Sequence, residues 1–269
     1  MTALADRDWR LIPEESRPGP MQMALEEVAA ETVAAGGPRT VRVYTWRPST
    51  LSLGYHQDPE TVDWEYCDSR DITITRRPTG GGGIYHDASG DISYSIVAPQ
   101  DELPGNLMEC YELLCTPVLT AFERMGVDAA FAEKTLPEIH QPTCYLREVH
   151  PAHDIVADGQ KISGNAQYRQ RESVIQHGSL SYALVPDAHL GVFETDEVSK
   201  ETFEQRVTSI RQQADIAREE AVDVLETALE EWADADVGAW TDEELDRGAE
   251  IAEAKYASEE WNRHRRSRV

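Results

Sequence analysis

Lysine is scarce in this chain. Only Lys134, Lys161, Lys200 and Lys255 occur among 25 basic residues, against 50 acidic ones and a formal net charge of −25. So little positive charge argues against a general nucleic-acid binder, which needs a basic face. A surface rich in Asp and Glu that takes its cations as arginine suits a protein working in concentrated, halophilic salt. Negative charge keeps it in solution there, while ions screen the self-repulsion over a few Å. No apolar run approaches the roughly 20 residues that cross a bilayer. The opening MTALADRDWRLIPEE lacks the basic-then-apolar layout of a secretory leader. Four cysteines (Cys67, Cys110, Cys115, Cys144) form neither a CxxC pair nor a dense framework. Neither a disulfide scaffold nor a zinc site is therefore expected, and the expected compartment is the cytoplasm.

The 269 residues suffice for one large domain with a full core. PMQMALEEVAAETVAA (20–35) carries apolar residues at helical spacing and stops at Gly36-Gly37. TVRVYTW (40–46) and TLSLGY (50–55) read as short strands, as do DITITRR (71–77) and GDISYSIVAP (90–99). A helix is expected over 105–126, a hairpin over 153–167 turning at Ala157-Asp158-Gly159, and a further strand over 173–184. From about residue 195 the chain is acidic and helical, with EEAVDVLETALEEW its clearest amphipathic stretch. This order predicts an α+β fold with a mixed, mostly antiparallel sheet flanked by helices. A single catalytic domain is expected over 1–262, followed by a basic, disordered tail RHRRSRV (263–269).

Three segments carry chemistry. In RRPTGGGGIYHD (76–87), four glycines after a strand can bring backbone close to a ligand and aim N–H groups at an anion. Arg76 and Arg77 stand beside them, suited to pairing a phosphate or carboxylate. Because a strand follows, the segment is neither a P-loop nor a dinucleotide-binding GxGxxG turn. In GQKISGNAQ (159–167), Lys161 is a lysine kept in a chain that prefers arginine, pointing to a need for a compact ammonium. In QHGSLSY (176–182), His177 and Gly178 interrupt an apolar strand. Taken alone, His177 reads as a structural histidine.

Together these segments resemble the lipoate-protein ligase and octanoyltransferase family, within the biotin/lipoate protein ligase superfamily. RRPTGGGGIYHD resembles the ligase signature RRxxGGGxVxHD, KISGNAQ the segment K-[VI]-x-G-x-A, and HGSLSY the strand HG-[ST]-L. PMQMALEE, WRPSTLSLGYHQ and KYASEEWN extend the likeness from about residue 20 to 262. It implies the catalytic fold of those ligases. It also implies a site of Arg77, Gly80, Gly81, Gly82, Gly83, Tyr85, His86, Asp87, Gly164, Ala166, His177 and Gly178, with Lys161 catalytic. In the ligase reading, ATP and Mg2+ convert lipoate or octanoate to an acyl-adenylate, which a lysine of the acceptor then attacks. No protein metal ligands are assigned.

The family divides. Cofactor-free octanoyltransferases take the acyl group from acyl carrier protein through a cysteine thioester. TLSLGYHQ and AQYRQRESVIQHGS resemble their sequences, and Cys144, 17 residues before Lys161, lies close to where they carry the nucleophile. A thiolate there would be activated by the lysine's charge; the plain alternative is a buried core cysteine. The all-glycine loop is the ligase form, against GGRAV in the transferases, and the ligase is the reading preferred from sequence. It implies a separate accessory polypeptide or adenylation without one. Expected acceptors are lipoyl domains of 2-oxoacid dehydrogenase complexes and the glycine cleavage H protein. A biotin ligase is disfavoured because its GRGRxG motif is absent. A noncatalytic lipoyl-binding protein is disfavoured by the retained lysine and loop.

Overall fold

The structure, a computed structural model, describes residue 4 and residues 8–133, 154–170, 172–194 and 198–267. Eleven strands and nine α-helices are present among them. The strands are β1 (Trp9–Arg17), β2 (Arg39–Trp46), β3 (Thr50–Leu53), β4 (Thr73–Arg76), β5 (Ile84–His86), β6 (Asp91–Pro99), β7 (Ala129–Phe131), β8 (Asp154–Ala157), β9 (Gln160–Arg169), β10 (Ser173–Ser181) and β11 (Asp236–Val237). The helices are α1 (Gly19–Ala34), α2 (Trp64–Ser69), α3 (Leu107–Arg124), α4 (Pro186–Gly191), α5 (Lys200–Arg206), α6 (Ile210–Gln213), α7 (Arg218–Ala233), α8 (Asp242–Ile251) and α9 (Glu259–His264). One π turn (Ala252–Tyr256) follows α8.

Eight strands form one sheet in the order β11-β1-β2-β6-β10-β9-β8-β7, and β4-β3-β5 form a second, smaller sheet. Only β1 pairs in parallel in the large sheet, with β2 and β11. The architecture is α+β with mixed sheets.

Period-two alternation divides β2 between two cores. Val41 and Val43 face one layer, joined by Ile92, Tyr94 and Ile96 of β6 and by the apolar sides of α3 and α7. Tyr44 and Trp46 face the other, against α1, Trp240, Tyr256 and Trp261. The large sheet is thus covered on both faces, and α1 is wedged between it and the small sheet. No helix among the described residues is long and apolar enough to cross a membrane.

The expected hairpin turns through Asp158 (φ 51°) and Gly159 (φ 77°), both left-handed, as a tight two-residue turn between twisted strands requires. Two differences from the sequence reading have physical causes. A register shift between Ile12 and Glu15 breaks the alternation of β1, which hides that strand. The stretch read as a tail begins inside α9: Arg263 lies over the Trp64 ring, 3.7 Å from its centroid.

Candidate active site

The α1 face of the large sheet and the small sheet enclose a cavity with about 510 Å³ of space between its walls and mouth. Met23, Tyr44, Trp46 and Ile84 supply apolar wall, while Lys161 and Asp154 stand on the polar side.

Lys161 is placed by its neighbours in the hairpin. Its Nζ is 2.7 Å from Asp154 Oδ1, and both side chains are largely buried. A side chain at Gly164 would put a Cβ 3.0 Å from that Nζ, so the glycine makes room for the ammonium. Gly178 is more constrained still: a Cβ would lie 2.2 Å from Asn165 Oδ1 and 2.9 Å from Gly164 O. These two glycines let adjacent strands carry polar groups at close quarters on the cavity wall.

The glycine loop is held from below by Arg77. Nη1 donates to Ser52 O (2.8 Å), and Nη2 donates to Gly80 O (3.0 Å) and Gly82 O (2.7 Å). Its guanidinium therefore braces the loop, where the sequence reading gave it a phosphate or carboxylate to pair. In a trans peptide the C=O and the next N–H point oppositely, so the Gly81 and Gly83 N–H groups face away from Arg77. Gly81 (φ 93°) packs on Gly54, where a Cβ would fall 1.8 Å from Gly81 O. Arg76 is fully buried and donates to the carbonyls of Gly54, Tyr55, Gln57 and Asn262 at 2.6–3.0 Å. Burial, with the charges of Arg265 and Arg77, lowers its pKa to about 10. It is a scaffold residue.

A second polar chain lines the cavity. His86 Nε2 is 2.9 Å from Ser52 Oγ and Nδ1 is 2.6 Å from Asp91 Oδ2. Asp91 also accepts from Ser93 Oγ, which accepts from Trp46 Nε1 at 2.8 Å. Trp46 and His86 stack with centroids 4.1 Å apart. Each polar group is matched, which fixes the ring orientations.

Of the residues expected in the site, Arg77, Gly80, His86, Lys161, Gly164, Ala166, His177 and Gly178 line the cavity. Gly81, Gly82 and Gly83 do not; a Cβ on Gly83 would meet the Phe193 ring at 2.7 Å. Tyr85 points to the opposite face of β5, into the core around Leu51 and Val192, and burial pushes its phenol up to about 12. Asp87 caps a turn, accepting from the Ser89 and Gly90 amides at 3.0 and 2.8 Å. Cys144 lies outside the described residues. Tyr44, Trp46, Ser52, Ser93, Asp154 and Asn165 were not singled out from sequence. Alternate placement of Tyr44 and Trp46 on one strand was the available signal. Among the described residues no group of three or more His, Cys, Asp or Glu could hold a metal.

Residues 18–230 match the lipoyl protein ligase A/B catalytic domain. The chain is 34% identical over 272 residues to octanoyltransferase LipM of Kyrpidia tusciae, covering 94% of this chain and 98% of that protein. It is 30% identical to the LipM of Geobacillus kaustophilus, covering 96% and 99%. Among solved structures, lipoate-protein ligase A bound with ATP superposes with a TM-score of 0.78 at 25% identity, covering 95% of this chain and 98% of that one. The bipartite lipoate protein ligase of Thermoplasma acidophilum does so at 0.79 and 22% identity, covering 98% and 100%, a likeness of fold.

Proposed function

The chain belongs to the lipoyl protein ligase A/B catalytic-domain family of acyl-transferring enzymes, and within it we propose an octanoyltransferase that moves octanoate from acyl carrier protein to a lipoyl-domain lysine through a thioester on Cys144. The observation that carries this reading is the end-to-end match to octanoyltransferases, 34% identical over 94% of the chain. It reverses the preference for a ligase drawn from the glycine loop alone.

The chemistry needs no ATP, because the incoming thioester is already activated. The Cys144 thiolate attacks the octanoyl carbonyl, a new C–S bond forms, and the carrier thiol leaves with a proton. The acceptor ε-amine then attacks the enzyme thioester, forming the amide and returning the cysteine thiol. Lys161 stands at the polar side of the cavity, where its ammonium would favour the thiolate and the negative charge of each tetrahedral intermediate. Tyr44, Trp46, Met23 and Ile84 would take the acyl chain, each buried methylene contributing about 0.8 kcal/mol. The described cysteines support Cys144 by their unsuitability. Burial raises the Cys67 and Cys115 thiols to about 12 and also raises Cys110. Acceptors would be lipoyl domains of 2-oxoacid dehydrogenase complexes and the glycine cleavage H protein.

The likeness to an ATP-bound lipoate-protein ligase favours a second reading, ATP-dependent ligation. ATP and Mg2+ would then be required, the metal arriving on the phosphates, with adenylation aided by an accessory polypeptide or proceeding without one. One assay separates the two. Apo lipoyl domain is offered octanoyl-carrier protein without ATP, or lipoate with Mg-ATP, using wild type and Cys144→Ala. ATP-independent transfer lost in Cys144→Ala is the expected result. ATP-dependent transfer that survives the substitution would establish the ligase.

A further inference from the structure

Three elements meet in a hydrogen-bonded line beside the cavity. Glu26 of α1 lies 2.8 Å, through Oε2, from Nδ1 of His177 on β10. His177 Nε2 lies 2.9 Å from Oγ1 of Thr79, the residue that opens the glycine loop. Glu26, His177 and Thr79 are all more than nine-tenths buried. The Thr79 carbonyl in turn accepts from the Tyr55 amide at 2.8 Å. Glu26 itself is fixed from behind: Tyr44 Oη donates to its Oε1 at 3.1 Å, and Arg42 Nη2 stands 3.6 Å from the same oxygen. Although burial opposes ionisation, His177 and Arg42 bring the Glu26 pKa below its ordinary value. An ionised carboxylate only accepts, so Nδ1 donates to Glu26, which leaves Nε2 to share the hydrogen bond with the Thr79 hydroxyl.

We infer that Glu26, His177 and Thr79 act as a positioning relay that fixes the entrance of the glycine loop relative to Lys161. The register supports this. His177 pairs with Ala166 on β9, five residues beyond Lys161, so the middle of the relay is built on the sheet that carries the lysine and one end on the loop. Arg77 holds the loop's interior at Gly80 and Gly82; the relay holds its first residue. Two anchors on different elements leave the loop little rotational freedom. The inference rests on the proposed acyl transfer for its kinetic readout but also has a readout independent of it.

Thr79→Val keeps the shape and deletes the hydroxyl, whereas Thr79→Ser keeps the hydroxyl. In octanoyl transfer to an apo lipoyl domain, Thr79→Val is expected to lose about tenfold or more in kcat with the acceptor KM little changed, and Thr79→Ser to stay within about threefold of wild type. Glu26→Gln with Thr79→Val should lose no more than the worse single variant, because both break one relay. Hydrogen–deuterium exchange over residues 79–83 should quicken in Thr79→Val and Glu26→Gln while global melting stays cooperative. A folded Thr79→Val with wild-type kcat and wild-type exchange overturns the relay, as do losses that multiply in the double variant. A wild type that transfers no acyl group defeats the functional reading alone; the exchange result then decides the relay by itself.

Discussion

Lys161 and Gly164 occupy one volume: the ammonium nitrogen sits 3.0 Å from where a Gly164 side chain would begin. Gly164→Ala therefore displaces the lysine by a few tenths of an ångström without disturbing the core. We expect about a tenfold fall in kcat with the melting temperature nearly unchanged, since small misplacements of a reacting group are costly. Steady-state kinetics beside a thermal melt checks this.

Removing the charge is more severe. Lys161→Met should lower transfer by about 10² or more, the usual scale for deleting a charge-stabilising group. It also leaves the buried Asp154 carboxylate without its ammonium. A second substitution, Asp154→Asn, should therefore recover stability in the Lys161→Met background without recovering activity. Urea unfolding of both variants tests the pairing; no recovery would argue that Asp154 is satisfied by other groups.

The two glycines flanking the loop contact behave oppositely. A Cβ on Gly54 would meet Gly81 O at 1.8 Å, whereas a Cβ on Gly80 meets nothing within 4 Å. Gly54→Ala is expected to destabilise by about 2–4 kcal/mol through backbone displacement. Gly80→Ala should stay within about 0.5 kcal/mol of wild type while altering kinetics. Chemical denaturation of the pair distinguishes a packed turn from open backbone.

Acid should loosen the contact between α8 and β1. Glu244 takes two bonds from Arg10, at 2.8 and 2.6 Å, one from Thr32 and one from the Thr241 amide. Burial opposes its charge, yet these partners lower its pKa to about 2. A depressed carboxylate contributes stability above its unfolded pKa, here near 4.5, and loses it as pH falls toward 2. About 1–2 kcal/mol should disappear between pH 5 and 2 once solvent screening of the partly exposed pair is allowed for. In Glu244→Gln that share of the pH dependence should be missing.

Arg76→Lys tests the scaffold. Four carbonyls converge on a planar fork that an ammonium cannot match. A loss of about 2–4 kcal/mol is expected, read from denaturant midpoints.

Much of this site was legible before any coordinates. Lys161 stood out as a rare lysine, His177 and Gly178 because they interrupt an apolar strand, and Gly164 through the family resemblance; all four line the cavity. Gly80 of the loop lines the cavity, but the loop's parts were assigned by proximity in sequence, and strand alternation undid that: Tyr85 and His86 are adjacent and face opposite ways. Arg76 and Arg77 looked like ligand groups because sequence does not show carbonyls arriving from residues 52–57 and 262. Asp154 and Glu26 were missed for the same reason, since a buried acid acquires meaning only from a partner brought by another element. Strand β1 was missed because a bulge interrupts its alternation.

The bond from Arg76 to Asn262 spans 186 positions of the chain. Anchoring Arg76 at that carbonyl therefore carries the entropy of closing a very long segment, and we expect it to form late in folding. A chain whose C-terminal helices are still missing has the cavity's lining residues, which run from Met23 to Ser179, but not the Asn262 carbonyl that anchors Arg76. Acyl transfer in this protein would then serve as a reporter of completed folding: during refolding, activity should return with the slowest structural signal and never ahead of it.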